Sequence, residues 1–375
     1  MKRAWVTDDE AALLKASLST GDEAARHWAR FTTLHPFEDI WDSGRYALLP
    51  ACHVALRGVD GIPEAPRLAG IHRRTWVTTQ NALADAAAAS SHLRSAGIDH
   101  CVHGALAVAL TFYDDMASRP VDAPDLLVAV ADIGPAVDAL EALGWVALSA
   151  PDEDRVLIDD GVTLARVDQR LRLSWETCRG VASGTRDRAT VPDAIERAVD
   201  VDTPHGPVAV TADVDLAAYL LTGGIGAGAD HRLRTLADTA RFVRRPTAPA
   251  AIARRIAELQ LTTPARHVLA TIRSVTGVDT SRHLEALAAL PVSAADRRRH
   301  ELLLRSVAPD QTIHPLLGVL ARSTVGFGAA ESARATPGVL TSLWGLDSPA
   351  GLLTEIPRRA ALKAVRSLRS SRADP

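Results

Sequence analysis

At 375 residues, with 47% apolar and 23% charged residues, the chain has room for two or three domains and the composition of a globular protein, which excludes a disordered or fibrous one. A formal charge of −3 removes any bulk electrostatic reason to expect nucleic acid as a partner. Lysine occurs only at Lys2, Lys15 and Lys363 against abundant arginine and alanine, a bias of genome composition before function.

The first 97 residues read as a helical segment. Asp8 or Asp9 is placed to cap a helix through AALLKASL, and EAARHWARFTTL sets Trp28 and Phe31 at i, i+3. A third segment, DIWDSGRYALLPACHVAL, is interrupted by Gly44 and Pro50. A fourth, from about Leu68 to Ala96, spaces Ile71, Trp76 and Leu83 among alanines, and tryptophans at helical spacing read as core anchors.

From Ile98 the period changes. Ile98 to Val102 reads as a strand, His103-Gly104 as a turn, Ala105 onward as a helix, and Asp125-Leu-Leu-Val as the next strand after an acidic loop. A glycine turn opening a helix, followed by acids at the start of a strand, suits a triphosphate and its metal. A helix over Ile133 to Leu143 with Gly144 at its end leads to strands at Trp145 to Leu148, Arg155 to Ile158, Val162 to Asp168, Ala198 to Val201 and Pro207 to Val210. The class predicted is α+β: a small mixed-sheet core over residues 98–210, framed by the helical segment 1–97 and a C-terminal helical domain 211–375.

The C-terminal domain reads as helices through VDLAAYLLTGGI, DHRLRTLADTARFVRR, Pro249 to Leu259, Pro264 to Val275, Glu285 to Ala289 and AADRRRHELLLRSV. Arg234 and Asp238 fall at i, i+4 and suggest a helix-stabilising pair. The chain closes on a basic tail (Arg358, Arg359, Lys363, Arg366, Arg369, Arg372) that reads as a solvated helix. Three cysteines, Cys52, Cys101 and Cys178, make an odd count without metal-ligand spacing and suit a reducing compartment. No apolar run approaches a membrane span and the N-terminus lacks an apolar signal region, so a cytoplasmic location away from membranes is expected. There is no Walker A, no Gly-x-Gly-x-x-Gly and no local nucleophile signature.

Seven stretches in one order carry a resemblance: RYALLP, RLAGIHRRTWVTTQNAL, GIDHCVHGALAVALTFY, SRPVDAPDLLV, LEALGWVAL, LARVDQRLRLSW and HRLRTLADTARFV. From about Leu13 to Val275 the chain resembles an uncharacterised bacterial nucleotidyltransferase family, a branch of the DNA-polymerase-beta-like nucleotidyltransferases found near biosynthetic and peptide-maturation genes. The resemblance implies transfer of a nucleotidyl group from a nucleoside triphosphate to a small-molecule or peptide acceptor, with Mg²⁺ ions neutralising the phosphates. It implies Asp125 and Asp168 as catalytic metal-holding acids, with Asp122 to supply the missing third carboxylate, and His103, Gly104 and Arg119 as the groups around the nucleotide.

This chain departs from the family pattern in two places. His103 stands where lysine is expected, replacing a permanent charge by a group that is mostly neutral at pH 7. Counting from Arg119, the first acid of the family's Asp-x-Asp falls on Ala123; Asp122 and Asp125 are i and i+3, which a regular strand sends to opposite faces. A bulge at Pro124 would bring Asp122 round. Two further candidates share the loop: a metal pocket of Asp114, Asp115 and Asp122, and Arg119 as an anion clamp or a loop-fixing ion pair. The alternative to the enzyme is therefore a catalytically degenerate nucleotidyltransferase fold that binds a nucleotide, peptide or protein partner without chemistry.

Overall fold

The computed structural model describes residues 6–40, 42–148, 161–176, 190–226, 229–292 and 294–306, with 337, 348–351 and 353. The strand expected at Arg155 to Ile158, Cys178 and the basic tail lie outside the described residues.

The chain begins with α1 (Asp8–Leu18) and α2 (Gly21–Leu34), followed by the short α3 (Ser43–Tyr46) and α4 (Leu49–Ala55). The cap of α1 is Thr7, one residue earlier than Asp8: its backbone N–H donates to Glu10 Oε2 at 2.9 Å and its hydroxyl to Asp9 Oδ1 at 2.6 Å. Trp28 is buried beside Phe31 with its indole N–H on Glu64 Oε2 at 3.1 Å, so the expected anchor is in the core. The next helix, α5 (Ala65–Ser95), is 31 residues long, or about 46 Å. Leu68, Thr75, Thr79, Ala82, Leu83, Ala86 and Leu93 follow its buried face at three- and four-residue steps. Trp76 falls off that stripe and is 54% exposed, a correction to its expected role as a core anchor.

After α5 come β1 (His100–His103), α6 (Gly104–Phe112), β2 (Asp125–Val128), α7 (Ile133–Glu141), β3 (Val146–Ala147), β4 (Gly161–Arg166), β5 (Gln169–Ser174), α8 (Val191–Glu196), β6 (Val199–Val201) and β7 (Val208–Val210). The strands form one seven-stranded sheet in the order β3-β4-β5-β2-β1-β7-β6. β1 runs antiparallel to β2 and parallel to β7, and β2 runs parallel to β5, so the sheet is mixed as expected. β5 was not read from the sequence as a strand of its own. A two-residue turn at Val167 and Asp168 splits the stretch 161–174 into a hairpin, closed by the pair Arg166 and Gln169.

The central strands alternate between two faces. Val102, Leu126 and Val128 belong to the large core, which continues into the helices before and after the sheet. Cys101 and Leu127 face the other way, under a smaller cluster with Val191 and Ala194 of α8. His103 and Asp125 share that second face by the two-residue period.

The C-terminal helices are α9 (Asp213–Gly226), α10 (Ala229–Arg244), α11 (Pro249–Glu258), α12 (Thr262–Thr276), α13 (Ser281–Ala288) and α14 (Ala294–Ser306). α10 is bolted to the start of the chain. Arg241 and Arg244 donate to the C-terminal carbonyls of α1, Ser17 O at 2.8 Å and Leu18 O at 2.7 Å, and Arg232 pairs with buried Glu10 at 3.0 Å. In the first turn of α9, fully buried Asp215 accepts from Arg197 (Nε 3.0 Å, Nη2 2.9 Å), and buried Arg255 of α11 lies 2.7 Å away. Among the described residues no helix is long and apolar enough to cross a membrane.

These two findings make opposite stability predictions. Asp215→Ala strands the buried Arg255 charge and is expected to cost about 3–5 kcal/mol in urea unfolding, whereas Trp76→Ser is expected to stay within about 0.5 kcal/mol of the parent.

Candidate functional site

The end of β1, the start of β2 and the start of α6 meet at one place, and two backbone facts fix its geometry. His103 is the register partner of Asp125 across β1 and β2, and Arg172 is its partner across β2 and β5. Gly104 opens α6 with φ +62°, and a Cβ there would stand 3.2 Å from Asp125 Oδ2. Only glycine gives both the left-handed backbone and the close approach without strain. The Asp125 carboxylate therefore lies against the first residue of α6, where the helix dipole favours a negative charge.

Asp125 is buried, and its other oxygen accepts a hydrogen bond from Ser174 Oγ at 2.5 Å. Ser174 Oγ in turn accepts from Arg172 Nε at 3.2 Å. The chain Arg172, Ser174, Asp125 is thus a directed relay from cation to carboxylate across two parallel strands. Ser174 was missed in the sequence because β5 itself was missed: once Arg172 is in register, the two-residue period puts Ser174 on the same face.

His103 is buried at the N-cap of α6 but makes no side-chain cap to that helix. Its Nδ1 lies 3.0 Å from Thr211 Oγ1, and its ring packs edge-on to Tyr219 of α9 at 5.1 Å. Thr211 donates to Val102 O at 2.9 Å and lies 3.5 Å from Cys101 Sγ. Burial, before any neighbour, pushes the Cys101 thiol up to about 12, so it stays protonated and is no nucleophile.

The loop before β2 is locked to α10. Arg119 is buried with Nε at 3.0 Å from both oxygens of Asp238, Nη2 2.9 Å from Asp238 Oδ2, and Nη1 on Pro120 O at 2.5 Å. Tyr113 donates to Asp238 Oδ1 at 2.6 Å, and burial followed by the Asp238 charge drives its phenol far above the ordinary tyrosine range. Burial opposes the Arg119 charge, but Asp238, with Tyr113 and Tyr219 beside it, outweighs burial and raises the hold on the proton. Of the two roles read for Arg119, the loop-fixing ion pair is the one occupied. Asp238 serves Arg119 and Tyr113, so the expected Arg234–Asp238 pair along the helix is replaced by contacts between elements.

Asp122 lies in a bend ahead of β2, with its carboxylate 3.5 Å from Arg234 Nη1. The β1–β2 register runs from His103 and Asp125 to His100 and Val128 without interruption, and Arg172 N donates to Pro124 O at 2.9 Å. A bend at 122–123, then, and not a bulge at Pro124, decides where Asp122 points. Asp168 is exposed in the β4–β5 turn, four residues before Arg172, which is about 13 Å of strand. No group of three or more acids, histidines or cysteines that could hold a metal occurs among the described residues, so Asp122, Asp125 and Asp168 are not gathered into a metal centre. The rest of the acidic loop is also divided: Asp114 meets Arg245 at 3.4 Å, while Asp115 caps residues 116–118 and holds His72 at 3.0 Å and Arg57 at 3.2 Å.

Two measurements follow from this geometry. Gly104→Ala is expected to destabilise the fold by about 1–2 kcal/mol from the left-handed backbone alone, seen as a lower urea midpoint. Asp238→Asn is expected to cost about 3–5 kcal/mol because it leaves Arg119 buried without its counter-charge; an unchanged midpoint would mean that Arg119 is not held by this pair.

Comparison with curated proteins finds no match. A family model described as "uncharacterised nucleotidyltransferase" matches residues 45–277, beginning at Arg45 rather than near Leu13 and running from the RYALLP stretch through the sheet, α9, α10 and α12. With that model spanning the sheet and the helix that locks the loop before β2, the chain belongs to this nucleotidyltransferase family.

Proposed function

We propose that this protein is a catalytically degenerate member of its family that binds a nucleoside triphosphate at the mouth formed by β1, β2 and α6. The observation that carries the reading is the dispersal of the three acids. Asp125 is held by Ser174 against Gly104, Asp122 faces Arg234, and Asp168 lies out along the hairpin. Among the described residues no donor set fits Mg²⁺ here.

What the mouth offers is electrostatic. α6 begins without a side-chain cap from His103, and the first N–H groups of a helix suit acceptor oxygens, here beside the Asp125 carboxylate. Arg234 stands on α10 with its guanidinium toward Asp122, while Gly104 leaves the helix start without a side chain of its own. His103, on Thr211 and Tyr219, shapes the wall. Phosphate oxygens suit such a cradle of backbone donors and guanidinium groups.

A second reading, Mg²⁺-dependent nucleotidyl transfer to a small-molecule or peptide acceptor in a biosynthetic pathway, has one observation in its favour. Asp122 is 83% exposed and only loosely paired, so its carboxylate is free to move. Calorimetry with ATP separates the two. Degenerate binding is expected to proceed without Mg²⁺ and to survive Asp125→Asn within about threefold, since the amide still accepts from Ser174. Binding that requires Mg²⁺ and disappears in Asp125→Asn would establish the transferase reading instead.

A further inference from the structure

We infer that Arg234, supplied by α10 from outside the sheet, receives the terminal phosphate of the triphosphate, and that Asp122 is an internal anion which the phosphate displaces. The inference rests on the nucleotide-binding reading above and adds the residue and the competition.

Arg234 is the under-compensated cation of the region. Its side chain is only 12% exposed, yet its one charged partner among the described residues, Asp122, stands 3.5 Å away with a side chain 83% exposed. Its Nε is buried with no hydrogen-bond acceptor. Burial, and then repulsion from Arg119, weaken its hold on its proton. A guanidinium withdrawn from water needs strong, near hydrogen bonds in return, and a long contact to a solvated carboxylate supplies little. The neighbouring cations are otherwise engaged: Arg119 by Asp238 and the Pro120 carbonyl, Arg172 by Ser174.

Position agrees with chemistry. Tyr219 packs on His103 at the start of α6 and acts electrostatically on both Arg119 and Arg234, and α10 packs against α6. A triphosphate lying along this wall would meet backbone donors at one end and the Arg234 fork at the other. A phosphate carries more charge than Asp122 and reaches the fork in bidentate fashion. Binding is then an exchange of anions, with no covalent step, and Asp122 sets a threshold against weaker anions.

The test is calorimetry of the full chain with ATP and, separately, inorganic tripolyphosphate, both without divalent metal. Asp122→Asn, a change at an exposed side chain, is expected to tighten both probes about three- to tenfold by removing the competitor. Arg234→Gln is expected to weaken both by about tenfold or more. Arg234→Lys, which keeps the charge without the fork, guards against a folding defect and is expected to fall between. If ATP binds the parent but all three variants bind it equally, the assignment of Arg234 and Asp122 is overturned while nucleotide binding stands. If Asp122→Asn weakens binding, Asp122 is a ligand and not a competitor, and the inference fails. If neither probe binds the parent, the inference and the nucleotide-binding reading fall together.

Discussion

The arrangement of the site depends on the buried ion pair between Arg119 and Asp238. It joins the loop before β2 to α10 through three guanidinium contacts of 2.9–3.0 Å, with the Tyr113 phenol as a further donor to the same carboxylate. Burying these charges is costly and is offset only because both sides are fully engaged. α10 is itself fastened to α1 by Arg232, Arg241 and Arg244. The loop is therefore clamped to a rigid helix at one end and to the central strand at the other. What lies between, the bend at 122–123, has its direction decided by both anchors.

That clamp explains why one acid is left at the sheet and another outside it. Asp125 belongs to β2, whose register with β1 and β5 fixes it opposite His103 and Arg172. The positive φ of Gly104 brings the start of α6 onto its carboxylate, and Ser174 takes the remaining oxygen. Asp122 precedes the strand, escapes the pleat and meets Arg234. The same elements that carry the family's fold thus hold one buried carboxylate against the start of α6 and leave an exposed one beside Arg234.

Much of the fold was legible because its signals are local. The glycine at 104, the helical spacing of α2 and α5, the helix end at Gly144 and the strand runs at 125–128 and 208–210 each announce themselves within a few residues. β5 was hidden because RLRLSW alternates arginine with leucine directly after another strand, and the two-residue turn at 167–168 contains no glycine. Trp76 was misjudged because helical spacing alone does not say which face is buried, and α5 buries the stripe beside it. The partners at the site were illegible for a different reason. Arg119 finds Asp238, Asp125 finds Ser174, and Asp122 finds Arg234, all across long sequence separations. Spacing indicated that Asp122 and Asp125 were out of step but not what each would meet.

Whether the three acids act together on a metal decides between the two readings of the site. The most direct measurement is anomalous scattering from Mn²⁺ in crystals of the full chain grown with a non-hydrolysable ATP analogue. The account predicts the triphosphate on the start of α6 and on Arg234, with no Mn²⁺ bound to Asp125. A Mn²⁺ ion shared between Asp125 and either Asp122 or Asp168 would contradict it.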